Sequence, residues 1–318
     1  MHAASTTRIL RGALAGLAAL SLAACEGETT EPITPYPYDI VFERRDGPSG
    51  PPDLYRLDLE TGDAIRVFTS GSVGGMHPSA RPGGSQIAFV RTDAEFNSEI
   101  FIVNRDGTGL VNVTNNAAVD VMPAWSPNGQ RIAFVSDREG SFQDIFVVNV
   151  NGTNLRRLTP ADPFPAVTTE WWPAWSPDGL LIAYSSTLEG TADIWTIVVD
   201  ATLTERTLLT SGPDIDLHPT WSRQGDRIAF QRVDHDTGEA DIIILTISTG
   251  ALQRISMPGQ QLWPSWSPEG DVIAFSSNHE TEDFEIYTMR PDGTEVVRRT
   301  DSALNDLRPT WLIRPVQP

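Results

Sequence analysis

Short apolar runs separated by polar turns recur along the chain at a nearly constant interval. One of them, Ile-Ala-Phe or a close variant, occurs six times: Ile40-Val41-Phe42, Ile87-Ala88-Phe89, Ile132-Ala133-Phe134, Ile182-Ala183-Tyr184, Ile228-Ala229-Phe230 and Ile273-Ala274-Phe275. A proline stands upstream of five of these, at Pro78, Pro123, Pro173, Pro219 and Pro264, and Pro309 follows the last. Successive prolines are 45, 50, 46, 45 and 45 residues apart. Two residues beyond each comes Trp125, Trp175, Trp221, Trp266 or Trp311, with Ala80 the exception.

Each unit reads as four short strands. Pro-x-Trp-Ser forms the first. A turn such as Ser126-Pro127-Asn128-Gly129 follows, with proline presetting φ and glycine taking the left-handed position. Ile-Ala-Phe is the second strand, and an acid (Asp53, Glu99, Asp144, Asp193, Asp241 or Glu285) opens the third. Asp106-Gly107, Asn151-Gly152 and Asp292-Gly293 are hairpin signals before the fourth. Four strands in a period of this length predict an all-β chain, a β-propeller of four-stranded antiparallel blades. The chain enters at a second strand (Asp39 to Arg44) and leaves with an unattached first strand, Arg308 to Ile313. Joining them predicts six blades over residues 38–313, closed by a blade built from both termini, which removes free sheet edges.

The segments Met122-Pro-Ala-Trp-Ser-Pro-Asn-Gly-Gln-Arg-Ile-Ala-Phe and Trp172-Pro-Ala-Trp-Ser-Pro-Asp-Gly resemble the propeller repeat of the TolB family. That resemblance implies a propeller in the bacterial envelope, with a role in envelope organisation or transport. TolB itself carries an α/β domain before its propeller, and only residues 26–37 stand there in this chain, so the reading is TolB-like rather than TolB proper.

The first residues read as an address. Arg8 and Arg11 precede an apolar run, Gly12 to Leu20, too short to span a bilayer. It ends in Leu22-Ala23-Ala24-Cys25, which resembles the bacterial lipobox, and Cys25 is the chain's one cysteine. The expectation is a lipoprotein signal peptide over 1–24, lipidation at Cys25, and a proline-rich tether to residue 37. Export would place the propeller in the periplasm or at the cell surface, held to a membrane by lipid.

Composition narrows the chemistry. Net charge is −19, from 42 acidic residues against 23 basic, and all 23 are Arg. A P-loop or Schiff-base lysine is excluded, and nucleic acid is not an expected partner. A lone cysteine leaves no disulfide framework and no cysteine-rich zinc site.

Candidate binding residues are sought where the blades differ. Three residues before the prolines stand Gly75, Asp120, Glu170, Asp216, Gln261 and Asp306, and immediately before them His77, Met122, Trp172, His218, Trp263 and Arg308. Asp120, Glu170, Asp216 and Asp306 are expected at one channel mouth. With His77, Trp172, His218, Trp263 and Arg308 they would form a funnel for a cation or a partner's basic segment. The alternative has the acids capping turns and the large residues plugging the channel. Asp234, Asp236 and Glu239 form a weak calcium-like loop that a solvated acidic loop explains as well. No cofactor is expected beyond a possible calcium or other divalent cation. The favoured reading is a monomeric, non-enzymatic module that binds an envelope protein or peptide. The alternative is a metal-dependent hydrolase or lyase acting on a carbohydrate or phosphate substrate through the channel.

Overall fold

The computed structural model describes residues 37–45, 50–68, 75–140, 143–160, 168–200 and 205–315. The leader, Cys25 and the tether lie outside the described residues, up to residue 36. Six four-stranded antiparallel sheets follow one another as blades, numbered in chain order: blade 1 from residues 38–68 with 305–313, blade 2 from 75–112, blade 3 from 120–157, blade 4 from 170–208, blade 5 from 215–255 and blade 6 from 261–298; among the described residues there is no helix. Blade 4 shows the unit, inner strand to outer: Glu170–Trp175, Leu181–Ser186, Asp193–Val198 and Arg206–Leu208. Blade 1 is the closing blade. Its inner strand, Asn305–Ile313, pairs antiparallel with Tyr38–Arg45, from Tyr38 opposite Ile313 to Arg45 opposite Asn305.

The Ile-Ala-Phe segments are fully buried because each second strand has a neighbouring blade on both faces. Six apolar clusters fill the six gaps between blades. Within them, alternation along the second strand sends Ala133 to the blade 4 side and Ile132 and Phe134 to the blade 2 side. The small residue has a reason. Ala88, Ala133, Ala183, Ala229 and Ala274 share their clusters with Trp125, Trp175, Trp221, Trp266 and Trp311 of the next blade. The one gap whose outer blade offers Ala80 in place of tryptophan has Val41 in place of alanine. Volume removed on one side is thus restored on the other, as close packing requires.

The tryptophans are therefore inter-blade core, and several also tie blades together by a polar bond. Trp175 Nε1 donates to the Ala124 carbonyl (3.1 Å), Trp221 Nε1 to the Ala174 carbonyl (3.1 Å) and Trp311 Nε1 to the Ser265 carbonyl (2.9 Å). At the closing blade, the buried Asp39 carboxylate accepts from Arg314 Nε (2.7 Å), Arg56 Nη1 (2.7 Å) and Arg105 Nη2. Those three arginines come from the propeller's C-terminal segment, blade 1 and blade 2, so one anion joins the first and last strands of the propeller to the next blade.

Candidate functional site

Every inner strand is interrupted at its proline. Register shifts fall between Met76 and Ser79, Val121 and Ala124, Trp171 and Ala174, Leu217 and Thr220, and Leu262 and Ser265, with the matching shift in blade 1. Proline has no N–H for the ladder, and the inner strand, being a blade edge, tolerates the gap as a bulge. The residue before each proline takes a left-handed backbone: His77, Met122, Trp172, His218, Trp263 and Arg308 all have φ between 53° and 56°. Six bulges in register turn these six side chains toward the axis.

They meet there. The His77 ring stands edge-on to Trp172 at 5.0 Å, Trp172 lies 3.7 Å from His218, and His218 lies 5.9 Å from Trp263. The Arg308 guanidinium sits over Trp263 at 4.5 Å and Trp172 at 5.6 Å, while its Nη1 donates to the buried Glu43 carboxylate at 2.9 Å. Glu43 also accepts the His77 backbone N–H. Burial, then the Arg308 charge, holds both histidines well below their ordinary pKa, so both are neutral at neutral pH. Several polar atoms of this ring have no hydrogen-bond partner among the described residues: His77 Nδ1, both nitrogens of His218, Trp263 Nε1 and Arg308 Nε.

The ring lines a cavity of about 500 Å³. Its walls are the Pro-x-Trp segments and the turns joining first and second strands, including Pro82, Pro127, Pro177 and Pro268. It opens on the face those turns form. That volume falls in the range of small-ligand and short-peptide sites.

The four acids do not join this cavity, and here the structure departs from the funnel expected of them. Asp120, Glu170, Asp216 and Asp306 are buried to 0–1% exposure and lie at the opposite ends of the inner strands. Each is covered by an arginine of its own blade. Arg44 grips Asp306 through two bonds of 2.7 Å, Arg232 grips Asp216 at 2.7 and 2.8 Å, and Arg138 grips Asp120 at 2.8 and 2.7 Å. Glu170 accepts from Thr168 (3.2 Å) and lies 3.7 Å from Arg206. Gln261, at the same position in blade 6, donates instead to the Met257, Pro258 and Gly259 carbonyls, capping the turn before the strand. The position is structural, and carboxylates neutralised in this way present no open funnel to a cation. Regular alternation would put residues 120 and 122 on one face; the left-handed residue at the bulge separates them.

The acids opening the third strands accept from a threonine two residues beyond the fourth strand in several blades: Thr114 to Glu99, Thr159 to Asp144 and Thr300 to Glu285. Arg157, Arg254 and Arg298 pair with Asp144, Asp241 and Glu285. Blade 4 has Leu208 where blades 3 and 6 have Arg157 and Arg298, counted two residues before the threonine. Burial, with Asp216 nearby, pushes its Asp193 carboxyl up to about 6. In the loop of Asp234, Asp236 and Glu239, Asp234 Oδ1 accepts the Asp236 N–H (3.1 Å), the Thr237 N–H (2.9 Å) and the Thr237 hydroxyl (2.9 Å), so this oxygen closes a turn. Among the described residues no group of three or more His, Cys, Asp or Glu is placed to hold one metal ion.

Sequence reasoning found the ring but missed the mouth. The signal was present: the turn prolines and the serines of Pro-x-Trp-Ser recur in step with the tryptophans, and read as turn and core residues they also wall a cavity.

A family model described as TolB beta propeller domain matches residues 42–169 and 164–312. The structure is similar to the crystal structure of TolB from Acinetobacter baumannii, with a TM-score of 0.71 and 19% identity, over 86% of this chain and 66% of that one. This chain thus spans just under two thirds of that protein. It is also similar to a putative TolB from Agrobacterium tumefaciens (TM-score 0.65, 21% identity, 84% and 90% of the two chains). An oligogalacturonate lyase in complex with manganese matches less well (TM-score 0.54, 18% identity, 74% and 70%). At these identities the likeness is one of fold. A search of curated protein sequences finds no match.

Proposed function

Because this chain belongs to the TolB beta propeller domain family, we propose that it is a non-enzymatic, exported module that docks a protein or peptide segment of the bacterial envelope in its axial cavity. The observation that carries this reading is the cavity itself. Its tryptophan, proline and alanine walls suit an extended apolar segment, and its unpartnered polar atoms suit that segment's backbone. Lipid on Cys25 would keep the module at a membrane, where its partner would be met at high effective concentration.

Two experiments test it. Detergent partitioning of the parent and Cys25→Ser tests the anchor: the variant should remain folded and move to the aqueous phase. Docking is tested by a photo-crosslinking residue at Thr220, on the cavity wall, against one at His235 in the opposite loop. A covalent protein adduct is expected from position 220 only, and lost when Met122→Trp fills the cavity. Tryptophan suits that backbone, since Trp172 and Trp263 hold the same φ. An adduct that survives Met122→Trp would refute docking in the cavity.

A further inference from the structure

In a chain where 42 of 318 residues are acidic, none of the 29 residues lining the axial cavity is Asp or Glu. The same lining holds two arginines and two histidines, Arg223, Arg308, His77 and His218. A cationic or metal-bearing guest would find no carboxylate there, whereas an anion would find donors. Trp263 Nε1–H and Arg308 Nε–H are without partners among the described residues, and an unmatched buried donor is costly until something accepts from it.

We propose that the cavity is a carboxylate site: it takes a peptide segment whose carboxylate accepts from Arg308 and Trp263 beside His218, while apolar or proline side chains rest on the tryptophan and proline walls. This rests on the docking reading above and specifies the partner's chemistry. Arg308 is the principal cation. Its charge is shared with Glu43, which also lies 3.5 Å from Arg45, so this group of one acid and two arginines remains net positive. At the mouth, Arg223 is paired with Glu269. A bidentate or charge-assisted bond to guanidinium is stronger than a neutral one, which favours an acid over its amide.

Proton coupling follows from the same geometry. His218 faces Arg308, His77, Trp172 and Trp263, and His77 faces Arg308, Arg45 and Trp172, with Glu43 holding its backbone. Both rings are neutral when the cavity is empty. A carboxylate placed beside them offsets the arginine charges and favours the imidazolium, so binding takes up a proton and strengthens as pH falls toward 6.

The test uses the parent protein carrying 13C-methyl methionine, because the Met122 methyl belongs to a cavity-lining residue and reports occupancy. Three probes are titrated: acetyl-Pro-Glu-Phe amide, its Gln counterpart, and acetyl-Pro-Phe as the free acid. The Glu peptide should bind at least about tenfold tighter than the Gln peptide, equivalent to about 1.4 kcal/mol. That ratio should widen between about pH 8 and pH 6. Relative affinity of the free acid tells whether a chain terminus or a side chain supplies the preferred carboxylate. Arg308→Gln should abolish the Glu preference, and His218→Phe should abolish its pH dependence while leaving the preference at pH 8. Equal binding of Glu and Gln peptides, or no Met122 shift with any probe, overturns the carboxylate site. If the Thr220 adduct persists in that case, docking stands without it; if the adduct is also absent, both readings fall.

Discussion

Replacing Asp39 by asparagine would remove the anion that joins the two ends of the propeller while changing almost no volume. Asp39 is fully buried and accepts from three arginines whose side chains are 19–22% exposed. Losing one partner of a buried ion pair typically costs about 3–5 kcal/mol, because the remaining charge is left desolvated. Here the figure is reduced. Arg314 retains Asp58 and Glu60, Arg105 retains the Ile313 carbonyl, and all three guanidinium groups reach some solvent. A loss of about 2–3 kcal/mol is the expected result, a large part of a typical 5–15 kcal/mol domain stability. At about 2–4 °C per kcal/mol for a domain of this size, Tm should fall by roughly 4–12 °C. Calorimetry at pH 7 measures it, with Asp200→Asn as the control. Asp200 also holds two arginines, Arg131 and Arg156, but its side chain is 65% exposed, so its loss should cost less than about 1 kcal/mol. Equal Tm values for Asp39→Asn and the parent would refute the argument that this cluster clasps the ring.

The remaining predictions address packing and charge elsewhere. Val41→Ala should destabilise by about 1–3 kcal/mol through the space it opens, and adding Ala80→Trp should recover part of it, as chemical denaturation would show; a double variant less stable than both singles would contradict the exchange of volume. Leu208→Arg should give Asp193 an arginine partner like those of Asp144 and Glu285, beyond the nearby Arg232. Because the folded pKa is raised to about 6, above the ordinary Asp value of 3.8, the ionised carboxyl costs stability that grows as pH rises from 3.8 through 6. The substitution should therefore raise Tm at about pH 8 and much less at about pH 4. The channel histidines act in the other direction: their folded pKa is depressed, so stability is lost as pH falls below 6.5 and only the unfolded state charges, and His218→Phe should reduce that loss in a Tm series over pH 5–7. Ending the chain at Leu307 removes most of the closing inner strand with Trp311, and light scattering should show aggregation.

Much of this molecule could be read from its repeats. The Ile-Ala-Phe and Pro-x-Trp segments indicated strands, blade count and closure because each repeat must solve the same packing problem. Even the irregular blade was visible as Val41 and Ala80, although the exchange between them needed a neighbouring blade to explain it. The ring before the prolines was legible as a set of large side chains converging on the axis. Its companions were not. Asp120 and Met122 are two residues apart, and a period of two assigns them to one face. The bulge at Pro123, with φ 56° at Met122, turns one side chain to the axis and leaves the other beneath Arg138. Nor does a one-dimensional pattern tell which end of a channel is open. That depends on the turn residues Pro82, Pro127, Pro177 and Pro268 standing around one mouth, which is a property of the closed ring.

Docking in the axial cavity is tested most directly by the affinity of the protein captured at Thr220, once identified and purified, for the parent and for Met122→Trp. Isothermal titration should show binding to the parent and at least about a hundredfold loss with Met122→Trp, near 2.8 kcal/mol, with both proteins melting alike. Equal affinity for the two would place the partner elsewhere on the propeller and contradict docking in the cavity.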